Sequence, residues 1–312
     1  MSDKAQQIGR QASADLSERS DLITAVPMRH PWRTVSAIVL VGIVAGFVVD
    51  ASHRKAYEWS TYRQYIFDPG IAKASLVTLQ LTVYSMIIAV VLGIVLAVMR
   101  QSDNPVFKSV AWVYIWIFRG TPVYVQLVFW GLLTTLYPTV ILGVPHVVDI
   151  VQLPSLTDIP LFWFAVLGLG LNESAYMAEI VRAGLLSVDR GQEEAAKALG
   201  MSWSQSMRRI IIPQAMRIII PPTGNEVISM LKTTSLVIAV PVATELYMRT
   251  RDIASVTFNP IPLLLVASTW YLVYTSVLMV IQHRLEQRFA RGHGEAQVAQ
   301  ADHSLSENSG ML

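Results

Sequence analysis

Two groups of polar residues stand where a purely apolar segment would have none. Asn172, Glu173, Tyr176 and Glu179 fall in the stretch that begins at Leu161. Asn225, Glu226, Ser229, Lys232 and Thr233 fall in the stretch from Ile218 to Val240. At about 100° per residue, each group occupies one side of a helix, within an arc of about 120°. A carboxylate can hold an ammonium group, and a cation can hold a carboxylate. Two readings stand side by side. One is buried pairing between helices, for example of Lys232 with a glutamate. The other is the lining of a pathway that meets a zwitterionic solute. A charge at bilayer depth costs at least about 2.5–3.5 kcal/mol by insertion scales, so neither stripe faces lipid.

Other chemistry is missing from the residue inventory. The chain has no cysteine, hence no thiolate zinc site and no cysteine nucleophile. Its histidines, at 30, 53, 146, 283, 293 and 303, do not pair at metal-ligand spacing. No Ser-His-Asp or carboxylate pair is placed for catalysis. No Gly-x-x-x-x-Gly-Lys-Ser/Thr phosphate loop occurs. Gly168-Leu169-Gly170 is a fragment of a dinucleotide fingerprint inside an apolar span, where close packing of small residues explains it better. Neither a catalytic residue, a metal nor a cofactor is expected in this chain.

The stripes need apolar elements to carry them. The 312 residues are 53% hydrophobic and only 15% charged, against roughly 25% charged in an ordinary globular domain. Mean hydropathy is +0.46. This excludes a disordered chain and a fibre, and argues against a cytosolic enzyme. A bilayer needs about 20 apolar residues per helical crossing. Ala74 to Met99 supplies 26 uncharged residues and Thr34 to Val49 supplies 16. A single helix from 107 to 136 would be about 45 Å long, so 106–118 is read as a lead-in and 122–136 as the crossing. Thr121 is expected to cap that crossing, with Pro122 at its first position. Leu161 to about Ala183, Ile218 to Val240 and Pro260 to Gln282 complete the set. The fold class is an all-α polytopic membrane protein of about six transmembrane helices.

Basic residues set the expected orientation. With the 182–217 loop inside, 16 Lys and Arg lie in inner segments and 6 in outer ones. Both termini are then cytoplasmic. The basic 54–73 segment is the exception, and leaves open a first segment that does not cross.

The 189–213 loop reads as two short capped helices. Asp189 with Gln192, and Ser202 with Gln205, each fit a capping box. Glu193 and Glu194 suit the positive end of the first helix. Gly200 is a natural stop, and Pro213 bounds the second helix. A solvated hairpin is one reading. A docking element for a partner's groove, with Ala195, Ala196 and Leu199 apolar, is the other.

Glu194-Ala195-Ala196, then Gly200, Ile210 and Ile212-Pro213, resembles the EAA loop of ABC-transporter permease subunits. The family usually has Leu where this chain has Ile212. Ser174 to Gly184, Phe118-Arg-Gly-Thr-Pro122, Pro213-Gln-Ala215, Pro221-Pro222 and Leu231-Lys-Thr-Thr-Ser-Leu236 resemble its polar amino-acid branch. The resemblance covers roughly residues 70–283. It implies an importer membrane domain over 70–283 and an extra transmembrane helix with outer loop over 34–69. Residues 1–33 and 284–312 are then cytoplasmic tails.

It further implies a bacterial inner membrane location and coupling of a loop carrying Gly191, Glu194, Ala195, Ala196, Gly200, Ile210 and Pro213 to an ATPase dimer. ATP and Mg would be bound by that partner. A second permease copy or a sister permease, and an extracytoplasmic solute-binding protein, complete the assembly; nucleic acid has no place in it. The solute would be a polar amino acid or a related small molecule. Asn172, Glu173, Tyr176, Asn225, Glu226, Ser229, Lys232 and Thr233 are the candidate pathway. A secondary transporter driven by an ion gradient is the alternative. It would use the same intramembrane charges, but it usually shows internal repeats and has no role for the loop.

Overall fold

The computed structural model describes residues 31–139, 141–144, 148–152 and 155–290. Residues up to Lys55 form one compact unit and residues from Ala56 onward a second. Of the tails expected at 1–33 and 284–312, residues 1–30 and 291–312 lie outside the described residues, whereas 31–33 and 284–290 are helical.

In the first unit, helix α1 (Pro31–His53) is apolar and long enough to cross a bilayer. It extends past both ends of the expected 34–49 segment. Its side chains are exposed from Trp32 to Asp50.

The second unit begins with α2 (Trp59–Tyr65) and α3 (Pro69–Gln101). Asp68 caps α3 by accepting from the Gly70 and Ile71 amides, and Pro69 opens its first turn. The helix starts five residues before Ala74, because this cap outweighs the charge on Lys73. Helices α4 (Pro105–Gly120) and α5 (Val123–Leu136) follow. A short antiparallel hairpin, β1 (Ile141–Val144) and β2 (Val148–Gln152), pairs Ile141 with Gln152 and Val144 with Val148. The strands are a local addition to an otherwise helical chain.

Helix α6 (Leu161–Leu186) leads into α7 (Arg190–Ala198) and α8 (Trp203–Ser206). A π-helical turn over Met207–Ile211 joins α8 to α9 (Ile212–Thr233). A 3-10 segment over Thr234–Ala239 then leads to α10 (Leu246–Thr257) and α11 (Pro260–Ala290). Pro213 does not end the second loop helix as expected. It sits in the first turn of α9, directly after the π-helical turn that leads into it.

Helices α3 and α6 form the centre. Glycines let them touch: a Cβ on Gly170 would lie 2.9 Å from Ile88. A Cβ on Gly168 would lie 2.7 and 2.9 Å from the Trp130 and Leu127 side chains, in line with its packing reading. Ser75, Thr78, Thr82 and Ser85 are buried along α3, and Ser85 donates to the Val166 carbonyl at 3.2 Å. Outward faces are apolar. Ile87, Val91 and Val98 on α3, and Val273, Val277 and Val280 on α11, are about half-exposed or more. Apolar surface on this scale faces lipid.

Candidate functional site

The break between α4 and α5 is tied to α6. Thr121 does not cap α5, because its hydroxyl turns back to donate to the Ile117 carbonyl at 2.8 Å. Pro122 occupies the cap position without a side-chain bond. Gln126 holds the turn from the other side, donating to the Phe118 and Thr121 carbonyls at 3.0 and 3.1 Å. Asn172 on α6 donates to the same Phe118 carbonyl at 3.0 Å and to Gln126 Oε1 at 3.1 Å. A buried amide therefore fixes an irregular backbone at membrane depth.

A cavity of about 550 Å³ opens beside this break. Its walls include Arg119 to Val123, Asn172, Glu173 and Tyr176, and Glu226, Ser229 and Thr233. The Arg119 guanidinium lies 5.2 Å from the centre of the Tyr176 ring, a cation–π distance. Glu173 is 8% exposed, and its Oε1 has no hydrogen-bond partner. Its carboxyl faces that of Glu226 on α9. Two acids, one guanidinium and a polar turn thus surround one space. The chamber can take a cation against the acids and an anion against Arg119.

Six of the eight expected pathway residues line this cavity. Asn225 and Lys232 do not. They lie on a second cavity of about 530 Å³ with Ile228 and, from α11, Met279, Gln282, His283 and Glu286. Gln282 donates to Asn225 at 2.8 Å and to Glu286 at 2.9 Å. Lys232 forms no ion pair among the described residues. The suggested pairing of Lys232 with a glutamate is absent there. Glu179 pairs with Arg182 at 2.7 Å instead of joining the cavity.

The 189–213 loop folds as two capped helices. Asp189 accepts from the Gly191 amide at 2.6 Å. Gln192 does not close a capping box. Its side chain accepts from Gln214 at 3.3 Å, tying α7 to α9. Gly200, at φ +73°, ends α7; its amide and that of Met201 bond back to Lys197 and Ala196. Ser202 and Gln205 form the second capping box as read. Ala196 is fully buried, and Glu194 and Ala195 are exposed. Leu199 and Trp203 are 79% and 70% exposed. Ile210 is half-buried in the π-turn, and Pro213 is exposed at the start of α9.

Residues 89–291 match the family described as the binding-protein-dependent transport system inner membrane component. The chain belongs to this family. The arginine transport system permease protein ArgU of Corynebacterium glutamicum is 57% identical over 290 residues, 93% of this chain and 90% of that one. The histidine/lysine/arginine/ornithine transport system permease protein HisM of Salmonella typhimurium is 36% identical, covering 68% of this chain and 87% of its own. A crystal structure of an amino acid ABC transporter with histidines matches with TM-score 0.60 at 34% identity, over 71% of this chain and 95% of that one. The MetNI methionine ABC transporter, at 17% identity and TM-score 0.53, shares the fold. The protein is the permease component of an ABC transport system. It is a polytopic inner-membrane subunit rather than an enzyme, and ATP hydrolysis belongs to a separate subunit.

One buried acid escaped the sequence reading. Glu245, fully buried, caps α10 and binds Thr78 and Tyr271. It lies in a short polar connection outside the apolar spans, where a single acid gives no periodic signal. The hydroxyl stripe on α3, which needs partners, was the available clue.

Proposed function

We propose that this permease imports a cationic amino acid of the arginine type through the Glu173–Glu226 chamber. The observation that carries the reading is the facing pair of carboxyls in one cavity among the apolar helices, one with an unpartnered buried oxygen. A guanidinium or ammonium group against that pair offsets the repulsion between the two acids. Arg119 and the turn at Gly120–Val123 receive the solute carboxylate. The names of the ArgU and HisM relatives point to the same class of solute.

Two ATPase subunits dock on the α7–α8 loop. Exposed Glu194, Ala195 and Leu199 form the docking face, with Gly191 and Gly200 shaping its ends. Nucleotide-driven closure of the ATPases moves this loop, and the chamber alternates between the two sides of the membrane. The Lys232 face of α9 and α11 meets a second permease, whose acidic group offsets the unpaired ammonium. A solute-binding protein delivers from the far side. Both termini lie on the ATP side, a placement the basic-residue split supports.

The test is ATP-driven uptake by the reconstituted complex with its ATPase and binding protein. Arginine uptake competed by lysine or ornithine supports the reading. Uptake of glutamate with no response to arginine overturns it.

A further inference from the structure

Glu245 is a fully buried carboxyl with no basic partner among the described residues. Both of its oxygens are occupied. Oε1 accepts from Thr78 of α3 at 2.9 Å and from Tyr271 of α11 at 2.6 Å. Oε2 accepts from the Tyr247 and Met248 amides at 2.8 and 3.2 Å, capping α10. Thr78 in turn accepts from the Leu246 amide at 3.3 Å, and Glu245 is the nearer of its two acceptors, the Ala74 carbonyl lying at 3.4 Å. Burial pushes the carboxyl above the ordinary range, and the donors oppose that rise. One side chain thus joins three elements that also share an apolar cluster of Ile71, Leu246, Leu263 and Val266.

The segment before it continues directly from the chamber wall: it follows Thr233, a wall residue of α9, without a break. Thr234, Val237, Val240 and Val242 are buried. The three valines pack in the core with Leu127 of α5 and Leu169 of α6, and Leu169 also lines the chamber. Gly131 lets α5 press on this segment. A Cβ there would lie 3.0 Å from the Ala239 carbonyl oxygen and 3.1 Å from the Val240 Cα. Helix α9 runs from the docking loop toward this segment, so the valine wall stands at the end of the chamber away from the loop.

We infer that Thr234–Glu245 is the barrier at the far end of the passage, and that Glu245 is the positioning residue that holds it shut. The inference rests on the chamber being the passage. Opening the barrier requires α10 and its leading segment to separate from α3 or α11, and Glu245 bridges both separations. Glutamine cannot replace it without loss. An amide places a donor on one side, and both sides already face donors.

The experiment uses the full transporter with its ATPase and binding protein in proteoliposomes. Because the chain has no cysteine, Ser229→Cys is a unique label site on the chamber wall. A membrane-impermeant maleimide is applied from the binding-protein side, without nucleotide. Adding E245Q is expected to raise the labelling rate about ten-fold and to let solute leak without ATP. Tyr271→Phe removes one donor to Oε1 and leaves the α10 cap intact. It is expected to give a smaller rise in the same direction, and it decides the matter if E245Q fails to assemble. Unchanged labelling in the Tyr271→Phe variant overturns the inference.

Failure of the passage reading is distinguishable. In that case Ser229→Cys stays unlabelled during turnover even with Glu245 present, and both readings fall. Labelling during turnover that E245Q and Tyr271→Phe leave unchanged overturns the barrier inference alone.

Discussion

Gly93 of α3 rests directly on Met177 of α6: a Cβ on Gly93 would lie 2.6 Å from the Met177 Cβ. Two helix backbones meet there, with no flexible side-chain end to yield. Gly93→Val is therefore expected to cost about 1–3 kcal/mol. Gly42 on α1 has nothing within 4 Å of its Cβ position. Thermal melting in detergent checks the contrast, with Gly93→Val lowering Tm and Gly42→Val leaving it unchanged.

Gly200 makes a different demand. At φ +73° its surroundings are open, so the constraint is backbone shape rather than space. A β-branched residue there costs roughly 1–2 kcal/mol and turns the chain between α7 and α8. Gly200→Val is expected to leave membrane insertion intact and to separate ATP hydrolysis from uptake. Parallel assays of phosphate release and solute uptake check this. Unchanged transport counts against docking at this loop.

Asn172 and Gln126 act as one network on the Phe118 carbonyl. Asn172→Leu and Gln126→Leu are each expected to slow uptake, and the double variant to be no worse than either single one. Uptake rates of the four proteins, assembled to equal levels, close the cycle. Additive losses would show two independent roles.

Glu173 and Lys232 separate by their kinetic signatures. Glu173→Gln is expected to raise KM for a cationic solute about ten-fold, since it removes one charge from the chamber. Lys232→Met is expected to loosen permease pairing and lower the maximal rate, with KM unchanged. A rise in KM in the Lys232→Met variant would move that residue into the passage.

The local signals were legible because they are local. Ser202 and Gln205 cap each other within four residues, and Gly200 takes the left-handed backbone its position suggested. The stripe on α6 was legible for the same reason: Asn172, Glu173 and Tyr176 share one side of a regular helix. The stripe on α9 was only half legible. An arc of about 120° on one helix is wide enough to face two neighbours. Glu226, Ser229 and Thr233 look toward α6, whereas Asn225 and Lys232 look toward α11. Periodicity gives the arc but not the neighbours. Likewise, Gln192 had the spacing of a capping box, yet Gln214, 22 residues on, offered a tertiary partner.

The chain path between the two chamber acids has its own consequence. Glu173 sits on α6 and Glu226 on α9, and the backbone joining them runs through α7 and α8. The two carboxyls are the jaws of a pincer whose handle is the exposed loop. Under the proposed coupling, a pull on the handle would alter the gap between the jaws through continuous backbone, with no relay of side chains. Because the attraction of a cation to each acid falls with distance, the grip on a solute and the position of the loop would then become one mechanical variable.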